Sequence, residues 1–250
     1  MVNYKMCVMK KLLVFTMALL VSGAVMAQGE EKVSIANKSF LAIHAGPSFP
    51  LDEFAAKTLP PDGFFGSGGF AKTGYSLNLH YDYRFAQNFG MAASLFFNNH
   101  SINNAAFVKA INDQFPEAGE PIDVTGLKLN HWKWYGITAG PALLFDAGKN
   151  VVAGLRIMGG VATANSPKAS YEGYEVFGED WSYSGVFQGG VDMRIGLGSN
   201  LFFYANAEYT YLKPKFDKEL TDPFTEEVFI ETGKQQMSVV NLTAGIGFRF

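Results

Sequence analysis

His80-Tyr-Asp82-Tyr-Arg84 places an imidazole, a carboxylate and a guanidinium two residues apart, and Asp192-Met-Arg194 repeats the acid–base spacing. Residues two apart share one face of an extended strand. These groups can therefore pair along a single surface. Arg156, Glu208 and Arg249 complete a set of alternating charges. Opposite charges so arranged neutralise one another in a structural network. Catalytic arrangements are harder to find. His100 and Ser101 are adjacent, so on a strand they point to opposite faces, and His131 has Lys133, not a hydroxyl, two residues on. His100 and His131 are two imidazoles without a third ligand, too few for a metal centre. No catalytic residue, metal site or cofactor is expected.

The elements that must hold these groups are announced by composition. The chain has 250 residues, 48% apolar, 15% aromatic and 17% charged, with a formal net charge of -3. That is too aromatic for a disordered chain, and its charge offers no general attraction to nucleic acid. The single cysteine, Cys7, excludes a disulfide framework and a cysteine zinc site. Lys10-Lys11 open an apolar stretch that ends in small residues at Ala27, the pattern of a cleavable secretory signal peptide over 1–27. A short linker is expected over 28–37 and a single domain over 38–250. No run long enough for a membrane helix follows the leader.

What recurs in that domain is period two. From Tyr75 to Phe85 every odd residue is apolar or aromatic and every even one polar, which predicts a strand between two different environments. Similar alternation predicts strands over Phe40–Phe49, Phe89–Asn98, Trp132–Phe145, Val151–Val161, Val186–Leu197, Leu201–Leu212 and Val240–Phe250, eight in all. Their connections alternate as well. Ala86–Asn88, Asp146–Asn150 and Gly198–Asn200 are tight turns, whereas roughly 50–69, 101–130, 164–180 and 213–236 are long. In an antiparallel order all short turns then fall on one rim with both termini. The predicted fold is an all-β, eight-stranded, up-and-down transmembrane barrel with short periplasmic turns and long extracellular loops.

Alternation does not say which face points outward, but arginine does. All four arginines, Arg84, Arg156, Arg194 and Arg249, have the parity of the polar face, with Asp82, Asp192 and Glu208. The opposite face carries Leu77, Leu79, Ile157, Ile195, Leu242 and Ile246 among others. An eight-stranded barrel has little room inside for so many bulky groups, and arginine facing lipid at the midplane costs about 2–4 kcal/mol. The polar face is therefore expected inside. Two aromatic zones are expected at the rims, the periplasmic one including Tyr81, Tyr83, Phe89, Phe145, Phe202 and Phe248, the outer one Trp132, Trp134, Tyr135, Trp181 and Tyr183.

The segments 74–90 (GYSLNLHYDYRFAQNFG), 204–211 (YANAEYTY) and 239–250 (VVNLTAGIGFRF) resemble the small eight-stranded outer-membrane barrels, the OmpA/OmpX-like families. The resemblance spans the domain and concerns architecture. It implies that Phe248 and the terminal Phe250 form the signal read by the barrel-insertion machinery, and that the protein resides in the cell outer membrane among its lipids. It carries over no enzymatic site, because His80 and Asp82 lie at the periplasmic end, away from the rim where barrel proteases hold such pairs. The expected role is structural or surface-interacting, with the long loops free to meet an extracellular ligand or partner. The alternative is a narrow porin-like channel for small or hydrophobic solutes, gated by a lumen ion network of His80, Asp82, Arg84, Arg156, Asp192, Arg194, Glu208 and Arg249. In the loops, Phe107, Ala110, Ile111 and Phe115 share one side of a short helix, and Asp217–Glu231 reads as acidic and solvated. Tyr171, Tyr174, Phe177 and Trp181 suggest strands continuing above the membrane.

Overall fold

A computed structural model of the chain describes residues 38–59, 68–114, 125–171, 173–221 and 228–250. The expected leader and linker, the glycine-rich tip after Asp62 and Phe115 lie outside the described residues. Eight strands close into one antiparallel barrel. In chain order they are β1 (Ser39–Leu51), β2 (Gly74–Arg84), β3 (Phe89–His100), β5 (Trp132–Gly148), β6 (Val151–Ser166), β9 (Asp180–Gly196), β10 (Leu201–Leu212) and β13 (Met237–Arg249). Each pairs with its sequence neighbour in the barrel. The cylinder is sealed where β13 meets β1, with Leu41 opposite Phe248 and Ile43 opposite Ile246. Among the described residues no helix is long and apolar enough to cross a membrane.

Period two in the sequence becomes period two in exposure. On β6, Arg156 is 2% exposed, Ile157 55% and Met158 1%. The same inversion runs round the cylinder: Leu79, Leu95, Ile137 and Leu242 are exposed, while Asn78, Ser94, Thr138 and Thr243 are buried. A water-soluble barrel buries the first set and exposes the second. Here the exterior is apolar.

The long connections carry structure of their own: the strands expected from Tyr171, Tyr174, Phe177 and Trp181 are present, while other features depart from the sequence reading. Strand β9 begins six residues before the expected Val186, and β6 runs past Val161 to Ser166, the two staying paired to Ser166 and Asp180. The rim between them is topped by a three-stranded sheet of β4 (Leu127–Leu129), β7 (Ala169–Tyr171) and β8 (Tyr174–Phe177). The segment read as an acidic solvated loop is a hairpin, β11 (Lys215–Thr221) against β12 (Val228–Lys234). It continues the register of β10 on β13, in which Leu212 faces Met237. Helix α1 (Asp52–Ala55) folds into the barrel mouth, entered through Asp52 at a positive φ of 47°. Helix α2 (Asn104–Gln114) buries Val108 most deeply and sets Phe107 edge-on to Phe70 at 5.2 Å.

The rims also need correction. Trp132, Trp134 and Phe202 belong to the inward face and are buried, not part of the aromatic zones. The outer zone consists of Tyr75, Tyr135, Trp181 and Tyr183, and the inner one of Tyr81, Tyr83, Phe85, Phe89, Phe203 and Phe248.

Candidate functional site

The lower half of the lumen is spanned by an alternating chain of charges. Arg156 of β6 donates to Asp192 Oδ2 at 2.7 Å and to Glu208 Oε2 at 3.1 Å. Its guanidinium also reaches the Tyr204 hydroxyl at 2.9 Å and Asn206 Oδ1 at 2.6 Å. Asp192 then accepts from Arg194 Nε at 2.9 Å, and Arg194 Nη2 donates to Asp82 Oδ2 at 2.7 Å. His80 Nε2 lies 2.8 Å from that same oxygen. The order is Glu208, Arg156, Asp192, Arg194, Asp82, His80, acid alternating with base throughout. Strands β9 and β2 lie four positions apart whichever way the eight-stranded ring is followed. The Arg194–Asp82 bond therefore bridges the full diameter.

Local sequence makes room for this strut. Asp192 faces Gly154 across the β6–β9 register, where a Cβ would collide with the carboxylate. Phe40 lies under Arg194, with the guanidinium carbon 4.7 Å from the ring centroid. Tyr204 stands between the two arginines, stacked against His80 at 5.8 Å and tilted against His44 at 4.7 Å. His44 Nδ1 lies 2.8 Å from the Thr243 hydroxyl. Ionised groups placed this deep are tolerated because every one has a partner of opposite charge.

Two of the eight expected network residues stand apart. Arg84 forms a rim clasp, with Nη1 3.1 Å from Asp146 Oδ1 and Nη2 donating to the Leu144 carbonyl at 3.1 Å. Asp146 was not singled out in the sequence because it falls in an expected turn. Arg249 keeps the parity of the inward face, but the barrel ends there. It donates 2.7 Å bonds to the carbonyls of Ser199 and Gly198, closing the neighbouring turn rather than joining the network.

Above the charges lies an uncharged polar belt. Thr138 donates to Gln188 at 2.5 Å, and Gln188 and Asn241 both donate to Thr210 at 3.3 Å. Above that is an aromatic cork. Phe54 of α1 is fully buried against His100, Trp132 and Trp134, with ring centroids 5.3, 5.9 and 5.5 Å away. Phe216 of β11 closes on Trp132 from the other side. Trp132 Nε1 donates to the Gly69 carbonyl at 2.8 Å and ties the returning loop down.

One serine–histidine contact exists that sequence spacing did not suggest. Ser48 Oγ lies 3.0 Å from His100 Nε2, whose Nδ1 is 2.9 Å from the Lys72 carbonyl. These residues are 52 positions apart, beyond the reach of any local pattern. The His100 ring is stacked flat on Trp134 at 5.0 Å and capped by Phe54, and both members are fully buried. Nucleophile and base are thus sealed from any substrate, and the contact acts as packing. His131 sits elsewhere, 2.9 Å from Asn99. Among the described residues no group of three metal-ligating side chains converges.

No protein-family model and no curated sequence matches the chain. Solved structures of similar shape are outer-membrane proteins of low identity. Ail, the attachment invasion locus protein of Yersinia pestis, is 17% identical over 86% of this chain and 99% of its own, with a TM-score of 0.45. A major outer membrane protein from Thermus thermophilus is 10% identical over 85% and 99%, with a TM-score of 0.46. OprG from Pseudomonas aeruginosa is 13% identical over 86% and 96%, with a TM-score of 0.40. The barrel fold assigned to this chain rests on its own strand registers.

Proposed function

We propose that this chain is an integral outer-membrane barrel with a closed lumen and a non-enzymatic role, structural or surface-interacting. The observation that carries the reading is the opposite fate of neighbours on one strand: Ile157 is exposed, whereas Arg156 and Met158 are buried. Only a hydrocarbon surround makes that arrangement favourable around a whole cylinder. Aromatic residues at both rims, Tyr135 and Trp181 above and Tyr81 and Phe248 below, fit the two interfaces of a bilayer.

A closed lumen is supported by two separate obstructions, the strut from Arg194 to Asp82 and the cork around Phe54. The rigid wall then serves to hold the extracellular sheet and hairpin above the surface. Cell fractionation with gel electrophoresis before and after boiling tests this. The protein should be recovered with outer membranes and change mobility on heating, as a detergent-resistant barrel does. Recovery in the soluble periplasmic fraction, with one mobility throughout, would overturn the reading.

A further inference from the structure

The hairpin β11–β12 stands on a basic foot. The outward column of β10, Tyr209 and Tyr211, continues through Lys213 and Lys215 to Asp217, the inward positions between them, Leu212, Pro214 and Phe216, being buried. Lys215 faces Lys234 directly across the hairpin. Two like charges opposite one another repel, and only Lys215 has a partner, Asp217 at 3.5 Å. That carboxylate is already engaged by the Thr232 hydroxyl at 2.5 Å. Among the described residues neither Lys213 nor Lys234 meets an acid. By contrast, Arg84 and Arg249 at the other rim are each held by protein oxygens.

The position of this foot matters as much as its charge. Lys213 donates its amide to Ser184, next to Tyr183, which at 85% exposed is the most open aromatic of the outer zone. Tyr183 and Trp181, with Tyr135 5.8 Å from Trp181, form an aromatic shelf beside the lysines.

From these observations we propose that Lys213, Lys215 and Lys234, with the Tyr183–Trp181 shelf, form a docking surface for phosphate-bearing glycolipid headgroups of the outer leaflet. The ammonium groups pair with phosphates, and the exposed rings lie against sugar faces. An anion between Lys215 and Lys234 converts their repulsion into a shared bridge. The inference rests on the membrane reading above and deepens it by naming the lipid class.

The test uses the whole protein refolded into vesicles of phosphatidylcholine alone, or doped with a bisphosphorylated glycolipid or with its dephosphorylated form. Binding is read as glycolipid retained per barrel after extraction, as a function of dopant. The phosphorylated lipid should be retained in preference, and retention should fall as salt rises. Replacing all three residues, Lys213→Gln, Lys215→Gln and Lys234→Gln, should weaken retention about tenfold or more. The three Lys→Arg changes should restore it, and Lys38→Gln with Lys149→Gln at the opposite rim should leave it unchanged. Free inorganic phosphate at millimolar concentration should not displace the lipid. Equal retention of the dephosphorylated lipid, or undiminished retention by the glutamine variant, overturns the proposal while leaving the barrel reading intact. Failure to insert into any vesicle would instead sink the membrane reading itself.

Discussion

The two halves of the lumen solve one packing problem by different means. The lower half is crossed by five alternating charges borne on the barrel strands themselves, from Glu208 to Asp82, with the His80 imidazole against the last. The upper half is corked by aromatic side chains, of which Phe54 and Phe216 come from connecting segments. Charges contributed by strands are fixed by the barrel and fail all together when one is removed. A cork contributed by loops can be removed with the barrel left standing. If the comparison is right, damage to the two halves should differ in kind as well as size.

The largest effect is expected from Arg156→Ala. It leaves Asp192 and Glu208 buried without their shared partner, and removing one member of such a network costs about 3–5 kcal/mol. Urea unfolding in lipid vesicles measures this, and a loss below about 1 kcal/mol would mean that the lower half is solvated rather than packed. Phe54→Ala comes next, at about 3 kcal/mol for an emptied aromatic site, the low end because α1 is a short connecting segment free to relax. Planar-bilayer recordings sharpen the contrast. The wild type and Phe54→Ala should both show only leak, since the strut from Arg194 to Asp82 remains. Current through Phe54→Ala alone would show that the lower half is no seal.

Arg84→Ala should cost about 1 kcal/mol, because its clasp to Asp146 is partly open to solvent. It should leave the lumen closed. The smallest effect lies outside the barrel. The Thr232 hydroxyl, with Lys215 assisting, holds the Asp217 carboxyl below its ordinary range. A carboxylate depressed in the folded state favours folding above the ordinary carboxylate pKa, and that contribution is lost as pH falls through the lowered value. The protection factor of the Thr232 amide, corrected for the intrinsic pH dependence of exchange, should therefore hold steady above about pH 4 and fall in more acidic solution. A protection factor unchanged across that range would remove Asp217 from the account of the hairpin.

How much of this was legible follows the same division. Strands, closure and the inward side of Arg156, Asp192, Arg194 and Glu208 could be read from parity, because a two-residue period admits only two assignments and burying charge decides between them. Parity could not give depth. Arg249 shares the inward parity but sits where the lumen ends, so it closes a turn. Trp134 and Phe202 have rim-like positions in sequence, but parity turns them inside, and there the aromatic residue competes successfully for volume that a purely polar lumen would leave unfilled. Nor could parity reach across loops. The meeting of Phe54 with Trp134 depends on which segment folds back into the mouth, and that of Ser48 with His100 on registers that bring β1 and β3 together across Gly74 of β2; no local spacing encodes either.

The central claim is that hydrocarbon surrounds the cylinder while Trp134 faces its axis. Single-tryptophan proteins in vesicles of brominated lipid test it: one keeps only Trp134, the other carries Ile157→Trp with Trp132, Trp134 and Trp181 replaced by Phe. Strong quenching at position 157 with Trp134 untouched is the predicted result. Quenching of Trp134 with position 157 spared would mean that the barrel is inside out with respect to this account.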